Sequence, residues 1–251
     1  SLSMKLYEIL SKKNIKTCFI KKYYSNQKDE QKILENKGKL FKSKKRVQSL
    51  KEAINQNYEI AIFDDGLQDH SINYDLTFVC FNNLNWVGNG FTIPSGPLRE
   101  SFKTIKDHKN IFITGNLINL ESIKKEILKT NPQSNILTAV YAPLNLNEFD
   151  KKEKYLVFSG IGNHESFVSM LKSNGLNIIK DLEFPDHYNY SDQIIYDITS
   201  QAKKLNCKIL TTEKDFLRLK GNNSNEIKFI KSELKINNEN DLLNILSDLY
   251  E

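Results

Sequence analysis

The sequence has few prolines and glycines and no long apolar run. Its 251 residues include 5 prolines and 10 glycines, which excludes a fibrous or low-complexity chain. No stretch approaches the roughly 20 consecutive apolar residues of a membrane-spanning helix, and no charged-then-apolar signal segment opens the chain. We therefore expect a cytosolic protein, or one that rests on a membrane surface.

Cysteines are also scarce. Cys18, Cys80 and Cys207 lie far apart in the sequence and form no Cys-x-x-Cys pair. Each follows or precedes apolar residues in a strand-like segment. This pattern predicts buried, reduced thiols and argues against a zinc site or a disulfide.

The charge balance favours an anionic partner without identifying it. The formal net charge is +5 and the sequence pI is about 8.8, which suits nucleic acid, a phosphosugar or an acidic lipid. Four basic residues cluster within 42–46, but no aromatic residues alternate with them as on a single-strand stacking platform. We interpret this cluster as a solvated face and expect no nucleic acid partner.

Hydrophobic periodicity predicts alternating strands and helices, which is typical of an α/β protein with parallel sheets. Strands are predicted at 17–20, 59–63, 76–81, 111–115, 155–159, 177–180 and 208–212. Helices are predicted near 2–10 and at 29–34, 47–54, 120–128, 165–174, 192–205 and 240–249. The polar segment 143–153 predicts a linker between a first domain, 1–142, and a smaller α/β domain, 154–235. We expect the C-terminal helix, within 236–251, to pack on the first domain.

Two adjacent acids follow one of the apolar strands. Asp64-Asp65-Gly66 comes directly after Glu59–Phe63, and ligands of open α/β sheets bind beyond the carboxyl ends of the strands. Paired carboxylates repel each other unless a cation compensates them, and Mg²⁺ prefers oxygen ligands. The residues alone leave two interpretations open: a magnesium site, or a turn.

Three other segments carry polar groups beyond predicted strands. The loop 88–100 has three glycines and two prolines and ends in Arg99 and Glu100; it indicates either a phosphate or metal contact or an ordinary structured crossover. His187, in a Pro-Asp turn, is either a general base or a structural histidine. Thr212 begins an acidic segment that is equally typical of a capped helix N-terminus.

Taken in order, five segments resemble the tetraacyldisaccharide 4'-kinase family. They read DDGLQ, GNGFTIPSGPLRE, FSGIGNHESF, FPDHYNYS and LTTEKDFLRL. The resemblance implies a transferase that moves the γ-phosphate of ATP, with Mg²⁺, to the 4'-hydroxyl of a tetraacyldisaccharide 1-phosphate in lipid A biosynthesis. It also implies two α/β/α domains of the P-loop nucleotide-hydrolase type, joined by a short strand linker, with the active site in the cleft between them. The location it implies is cytoplasmic, on the inner face of the inner membrane.

The same resemblance assigns roles to residues. It pairs Asp29 with His187, so that the carboxylate orients an imidazole that takes the proton of the sugar hydroxyl. It places Asp64, Asp65 and Glu100 on the metal side. The remaining positions are expected to meet substrate or phosphate: Glu30, Arg46, Gln68 and Arg99.

Three departures from the family pattern bear on activity. No glycine-rich phosphate loop occurs in the sequence, and the family's loop would lie just before Ser1, so we expect a truncated chain that barely binds ATP and is inactive as printed. Lys21-Lys22-Tyr23-Tyr24 stands where the family has Ser-Arg-Gly-Tyr. Asp69 stands where the family has histidine, and we expect its side chain to face solvent. The alternative to a kinase is a non-catalytic sugar-lipid binding module that has lost its nucleotide loop.

Overall fold

The computed structural model of the protein describes residues 1–23, 28–219 and 226–250, with the side chains of 28–30 outside the described part. The chain forms two compact units, Ser1–Thr77 and Phe78–Glu251. Each unit is built from strands and helices that alternate along the sequence.

The first unit is a parallel three-stranded sheet with helices. Its elements are α1 (Leu2–Lys12), β1 (Thr17–Lys22), α2 (Lys28–Lys37), β2 (Leu40–Ser43), α3 (Arg46–Asn55) and β3 (Ile60–Phe63). The strand order is β2-β1-β3, so that β1 is central. This position explains why β1 is an almost uninterrupted buried run, because a central parallel strand is covered on both faces.

The side chains of β1, which alternate between the two faces of the sheet, show which helix covers each face. Phe19 stacks on Tyr7 of α1, with ring centroids 4.7 Å apart. Its neighbours Cys18 and Ile20 belong instead to the apolar cluster that contains Ala53 of α3. Since successive side chains of a strand point to opposite faces, α1 and α3 cover opposite faces of the sheet. The first unit is therefore an α/β/α sandwich.

The second unit contains two four-stranded sheets. Its elements are β4 (Phe78–Asn82), the 3₁₀ helix η1 (Phe102–Asp107), β5 (Asn110–Thr114), α4 (Leu120–Thr130), β6 (Asn135–Pro143), the 3₁₀ helix η2 (Leu146–Glu148), β7 (Lys154–Ser159), α5 (His164–Ser173), β8 (Asn177–Glu183), α6 (Asp192–Leu205), β9 (Lys208–Thr212), α7 (Glu213–Phe216), β10 (Ile227–Ile230), β11 (Ser232–Ile236) and α8 (Glu239–Ser247). One sheet has the order β11-β6-β5-β4 and the other β10-β9-β7-β8. All pairs are parallel except β11 with β6.

The sheet around β7 is covered on both faces. Tyr155 and Val157 pack in a cluster with Phe167 and Leu171 of α5. Leu156 and Phe158 face the other way, into a cluster that contains residues of α6. Helix α6 begins where Ser191 accepts a hydrogen bond from the backbone of Ile194, and it ends at Asn206 in the left-handed conformation. This arrangement brings the C-terminal ends of β7 and β9 together at one edge.

The predicted α/β class is confirmed, while several elements escaped the sequence patterns. Strands β2, β6, β10 and β11 were not predicted. The predicted linker 143–153 contains η2, and the domain division that it marks stays a prediction. The boundary between the two compact units lies at Thr77.

Cys18 is buried, and burial raises the pKa of its thiol to about 12. The prediction of burial was wrong for Cys80, which is exposed at the outer strand β4. Within the described ranges, no helix is both long and apolar enough to span a membrane.

Candidate functional site

The tip of β3 carries a buried ion pair. Asp64 follows the last residue of β3, and Lys21 lies beside it on β1 because Ile20 is in register with Phe63. The Lys21 Nζ donates to Oδ2 of Asp64 at 2.6 Å, and the Ser3 hydroxyl of α1 donates to Oδ1 at 2.8 Å. The Lys21 side chain is 4% exposed and that of Asp64 is 20% exposed. Both oxygens of Asp64 therefore accept a hydrogen bond within the first unit.

Two opposing effects set the pKa of Asp64. Burial raises it, but the charge of Lys21 and the hydrogen bonds from Lys21 and Ser3 outweigh that effect, and the net pKa is lower than that of an ordinary aspartate. The carboxyl group is therefore ionised at neutral pH. An ionised carboxylate at a strand tip is the form that a cation would bind.

A buried arginine holds the turn that follows. The Nη2 of Arg46 donates to the backbone oxygen of Asp65 at 2.6 Å, and its Nη1 lies 3.3 Å from Oδ2 of Asp69. Asp65 has a positive φ of 55°, and its side chain is exposed. Arg46 is 7% exposed, and its Nε finds no hydrogen-bond partner among the residues that the structure describes. Its guanidinium therefore supports the Asp65 turn from inside the first unit. We call these residues, with Ser3, Lys21 and Asp64, the strand-tip cluster.

The expectation that Asp69 faces solvent was wrong. Its side chain is 22% exposed and pairs with Arg46. A hydrogen bond from the Ser71 hydroxyl is the largest influence on its pKa, which is lowered, and Arg46 adds to the effect. Asp69 therefore neutralises the arginine that supports the turn.

The strand-tip cluster offers oxygens that suit a magnesium ion. Mg²⁺ in proteins is usually held by one or two carboxylates together with water and substrate phosphates, and each carboxylate has about four lone-pair positions. Asp64 keeps acceptor capacity beside its two hydrogen bonds, and the Asp65 side chain is exposed. No group of three potential metal ligands occurs among the residues that the structure describes. The donor set thus fits a metal that a bound phosphate helps to hold.

The loop that carries Arg99 and Glu100 is internally hydrogen-bonded. The backbone of Ile93 donates to Leu98 at 2.8 Å, and the Asn89 side chain donates to the oxygen of Ser95 at 2.8 Å. This ordered loop presents Arg99 exposed and Glu100 half-buried. Phe91 and Ile93 are also exposed, at 63% and 64%.

For the other predicted site residues the structure gives only an exposure or a position in a helix. Gln68 is exposed in the turn after β3. Asp29 and Glu30 lie in the first turn of α2, but their side chains fall outside the described residues.

A fully buried carboxylate organises the second unit beyond β7 and β9. Oδ1 of Asp215 accepts from the backbone of Gly160 at 3.1 Å, from the Tyr190 hydroxyl at 3.0 Å and from Nη1 of Arg218 at 3.1 Å. Oδ2 accepts from the Thr212 hydroxyl at 2.6 Å. Asp215 is 0% exposed and the Arg218 side chain 5%. Burial and then Asp215 raise the pKa of Tyr190, which keeps the phenol protonated as a donor. We call these residues, with His187, the Asp215 cluster.

His187 lies at the solvent side of this cluster. Its backbone nitrogen donates to the oxygen of Gly160 at 3.1 Å, and its φ is 60°. Its Nδ1 is 3.3 Å from Nη2 of Arg218, and its side chain is 24% exposed. The neighbouring Asp186 carboxylate is 3.8 Å from Nε2. The imidazole is therefore ordered by its contact with Arg218 and still partly exposed, as a residue that meets a ligand must be.

A second histidine forms a Ser–His–Asp arrangement with no room for a substrate. The Ser159 Oγ is 2.7 Å from Nδ1 of His164, whose Nε2 is 3.2 Å from Asp181. This order of groups recurs in hydrolases. Ser159 is 0% exposed, however, so that no carbonyl carbon can approach its hydroxyl. The three residues instead tie β7, α5 and β8 together.

Comparison with known proteins identifies the family of the chain. The family model described as "LpxK: Tetraacyldisaccharide-1-P 4'-kinase" matches residues 16–251. The chain belongs to this family. Its match includes the strand-tip cluster except Ser3, and the whole Asp215 cluster with His187. It confirms the resemblance found in the sequence.

Curated members of the tetraacyldisaccharide 4'-kinase family align along most of the chain. That of Pelagibacter ubique is 56% identical over 251 residues, which are 100% of this chain and 80% of the relative. That of Rickettsia akari is 34% identical over 96% of this chain and 77% of the relative. A solved structure of LpxK from Aquifex aeolicus in complex with ATP has a TM-score of 0.66 at 19% identity, and covers 99% of this chain and 84% of the solved one. This structural similarity to the Aquifex aeolicus protein shows that the two chains share a fold.

Sequence reasoning missed several members of both clusters. The segment 211–215 was interpreted as a capped helix start, and Thr212 does cap α7 by accepting from the backbone of Asp215. The buried ion pair of Asp215 with Arg218 was not predicted, although their spacing of three residues is that of neighbours on a helix. Lys21 was singled out only as a departure from the family's Ser-Arg-Gly-Tyr pattern, and its ion pair with Asp64 was not predicted.

Proposed function

We propose that the protein transfers the γ-phosphate of ATP to the 4'-hydroxyl of a tetraacyldisaccharide 1-phosphate, a step of lipid A biosynthesis. The observation that carries this proposal is the family match over residues 16–251, together with the 56% identity to the Pelagibacter ubique kinase. The ATP complex of the Aquifex aeolicus protein supports the choice of nucleotide.

In this proposal the strand-tip cluster serves the nucleotide. Asp64 and Asp65, with Glu100, would hold Mg²⁺, which supplies neutralisation of phosphate charge when it is bound. Arg46 is buried and bonded to Asp65 and Asp69, so we propose that it orients the Asp65 turn. Arg99 is exposed on an ordered loop and is proposed to contact phosphate, since a guanidinium fork matches phosphate oxygens.

The other predicted residues are assigned to the sugar substrate and its hydroxyl group. We propose that Asp29 and His187 together handle its proton, and that Glu30 and Gln68 contact substrate. Support for His187 comes from its fixed backbone, its bond to Arg218 and its partial exposure. Positioning of this kind is the main contribution of a protein to phosphoryl transfer.

We further propose that the protein works on the cytoplasmic face of the inner membrane, where its acylated substrate resides. The net charge of +5 favours association with anionic lipid. Vesicle flotation tests this: binding to anionic vesicles that weakens with salt is expected, and equal binding to zwitterionic vesicles would contradict the electrostatic contribution.

The decisive assay measures transfer of labelled γ-phosphate to the disaccharide lipid. It is run on the printed chain and on a chain with any coding sequence that precedes Ser1 restored. Transfer that depends on Mg²⁺ and is lost in Asp64→Asn supports the kinase. Lipid binding without transfer in both forms would overturn it in favour of a non-catalytic binding module.

A further inference from the structure

We propose that Arg218 is a positioning residue for His187. Anchored on the buried Asp215 carboxylate, its guanidinium donates to Nδ1 of His187 and fixes the neutral imidazole with its proton on Nε2. The proposal concerns how the second unit prepares this histidine, and its link to catalysis rests on the proposed function.

The tautomer follows from the donor chemistry of arginine. A guanidinium has five N–H donors and no acceptor. Because Nη2 of Arg218 lies 3.3 Å from Nδ1 of His187, the ring nitrogen must be the acceptor in this hydrogen bond. A neutral imidazole that accepts at Nδ1 carries its proton at Nε2.

Arg218 is itself held from two sides. Its Nη1 donates to the oxygen of Gly160 at 2.8 Å and to Oδ1 of Asp215 at 3.1 Å. Asp215 is in turn fixed by donors from Gly160, Tyr190 and Thr212. In a buried network with every oxygen satisfied, each group has little freedom to rotate. The planar fork of the arginine reaches carboxylate and imidazole together, which a lysine cannot do.

The backbone of His187 is tied to the same point. The oxygen of Gly160 accepts from the His187 nitrogen at 3.1 Å as well as from Arg218. One carbonyl group therefore aligns the backbone and, through Arg218, the side chain of the histidine. A Cβ at position 160 would lie 3.0 Å from the oxygen of Pro185, so this close approach suits glycine.

The fixed tautomer changes the chemistry expected of His187. With its proton on Nε2, the ring presents a hydrogen-bond donor to a ligand, and its one lone pair is already engaged at Nδ1. In this proposal the resting imidazole acts as a donor at its exposed nitrogen, which leaves the Asp29 carboxylate to accept the hydroxyl proton within the proposed Asp29–His187 pair. Arg218 thus selects which of the two ring nitrogens can donate.

The test is imidazole nitrogen NMR of the histidine-labelled protein, which needs no enzymatic activity. His187 is one of 4 histidines and is assigned from the signal lost in His187→Gln. We expect the Nε2–H tautomer in the wild type, and a mixture of tautomers in Arg218→Lys, which keeps the charge beside Asp215 but cannot bridge to Nδ1. Lys204→Met, on the exposed end of α6, is the matched control and leaves the signals unchanged.

A wild-type signal with the proton on Nδ1, or an unchanged tautomer in Arg218→Lys, would overturn the proposal. Circular dichroism verifies that Arg218→Lys is folded; should it unfold, Tyr190→Phe serves instead, with the expectation of a smaller shift in the same direction. In a preparation that shows transferase activity, Arg218→Lys is expected to lower kcat about tenfold with KM for ATP within about twofold. Absence of wild-type activity would count against the proposed function while leaving the tautomer result intact.

Discussion

Lys21 and Asp64 lie side by side at the tips of two neighbouring parallel strands, with their charged atoms 2.6 Å apart. The carboxylate proposed to bind a metal ion is thus already paired with a cation of the protein itself. An ammonium group here reduces the repulsion that the adjacent acids would otherwise create.

Replacing Lys21 is expected to destabilise the protein and to increase the unfolding free energy that it gains when Mg²⁺ is added. Lys21→Met leaves a mostly buried carboxylate without its cation, which we expect to cost about 2–4 kcal/mol of unfolding free energy. Added Mg²⁺ should recover more stability in this variant than in the wild type. Urea denaturation with and without Mg²⁺ measures both. The control is Lys42→Met, which breaks an exposed pair with Glu35 and should cost at most about 1 kcal/mol. An equal magnesium response in all three proteins would argue against Asp64 as a ligand.

Acid should remove the contribution of Asp64 to stability. Its pKa is lower in the folded protein than in an unfolded chain, so its contribution is fully present above the ordinary aspartate pKa of about 3.9 and is lost as the pH falls through the lower folded value. The difference in unfolding free energy between wild type and Asp64→Asn should therefore be constant near neutral pH and shrink below about pH 4. A difference that grows on acidification would contradict the lowered pKa.

The hydroxyl of Tyr190 is expected to matter more than that of an exposed tyrosine. Tyr190→Phe removes a donor to the fully buried Asp215, and we expect a loss of about 1–3 kcal/mol because hydrogen bonds to charged groups are the stronger ones. Tyr196 is 65% exposed on α6, and Tyr196→Phe should stay within about 0.5 kcal/mol. Thermal unfolding compares them. Equal effects would mean that the Asp215 carboxylate does not depend on this donor.

Gly115 is expected to tolerate no side chain. It follows β5 with φ 127°, and a Cβ there would overlap Oδ1 of Asn83. We expect Gly115→Ala to cost about 2–4 kcal/mol from strain and overlap together. Gly90 also has a positive φ, 77°, but no atom near a Cβ, so Gly90→Ala isolates the backbone effect at about 1 kcal/mol. If both variants unfold at the same denaturant concentration, the contact with Asn83 is unimportant.

For an active form of the kinase, the two residues assigned to the sugar hydroxyl should affect turnover more than nucleotide binding. Asp29→Ala and His187→Ala are each expected to lower kcat about 10²–10⁴-fold, the usual contribution of acid–base groups, with little change in the Kd for ATP. If they act as a unit, the double variant should be little slower than either single one. Parallel losses of turnover and ATP affinity would reject this role.

The sequence predicted those elements whose signals are local. Helix α6 was predicted with its observed bounds from apolar residues at helical spacing, and the structure adds that Ser191 caps it. Strand β9 was predicted because its apolar run ends at polar residues. The carboxylates at Asp64 and the turn at His187 were found from their place after such strands.

What escaped prediction depends on partners distant in the chain. Strand β11, SELKI, alternates charged and apolar residues over only five positions, and it is defined by pairing with β6, about ninety residues earlier. The pairing of Lys21 with Asp64 depends on strand register, and the role of Arg218 on a loop that brings His187 back to it. Such contacts are set by tertiary packing, which no local periodicity reports.

The antiparallel pair β6–β11 also has an architectural consequence. Pro143 lies opposite Ser232, and the Leu144 nitrogen donates to the oxygen of Lys231 at 2.8 Å. The segment 144–231 therefore leaves the sheet after Pro143 and rejoins it at Ser232, the residue paired with Pro143. It contains all four strands of the β10-β9-β7-β8 sheet. Because both ends of this segment meet at one pair of neighbouring residues, we expect a short turn in its place to preserve the register of β6 with β11.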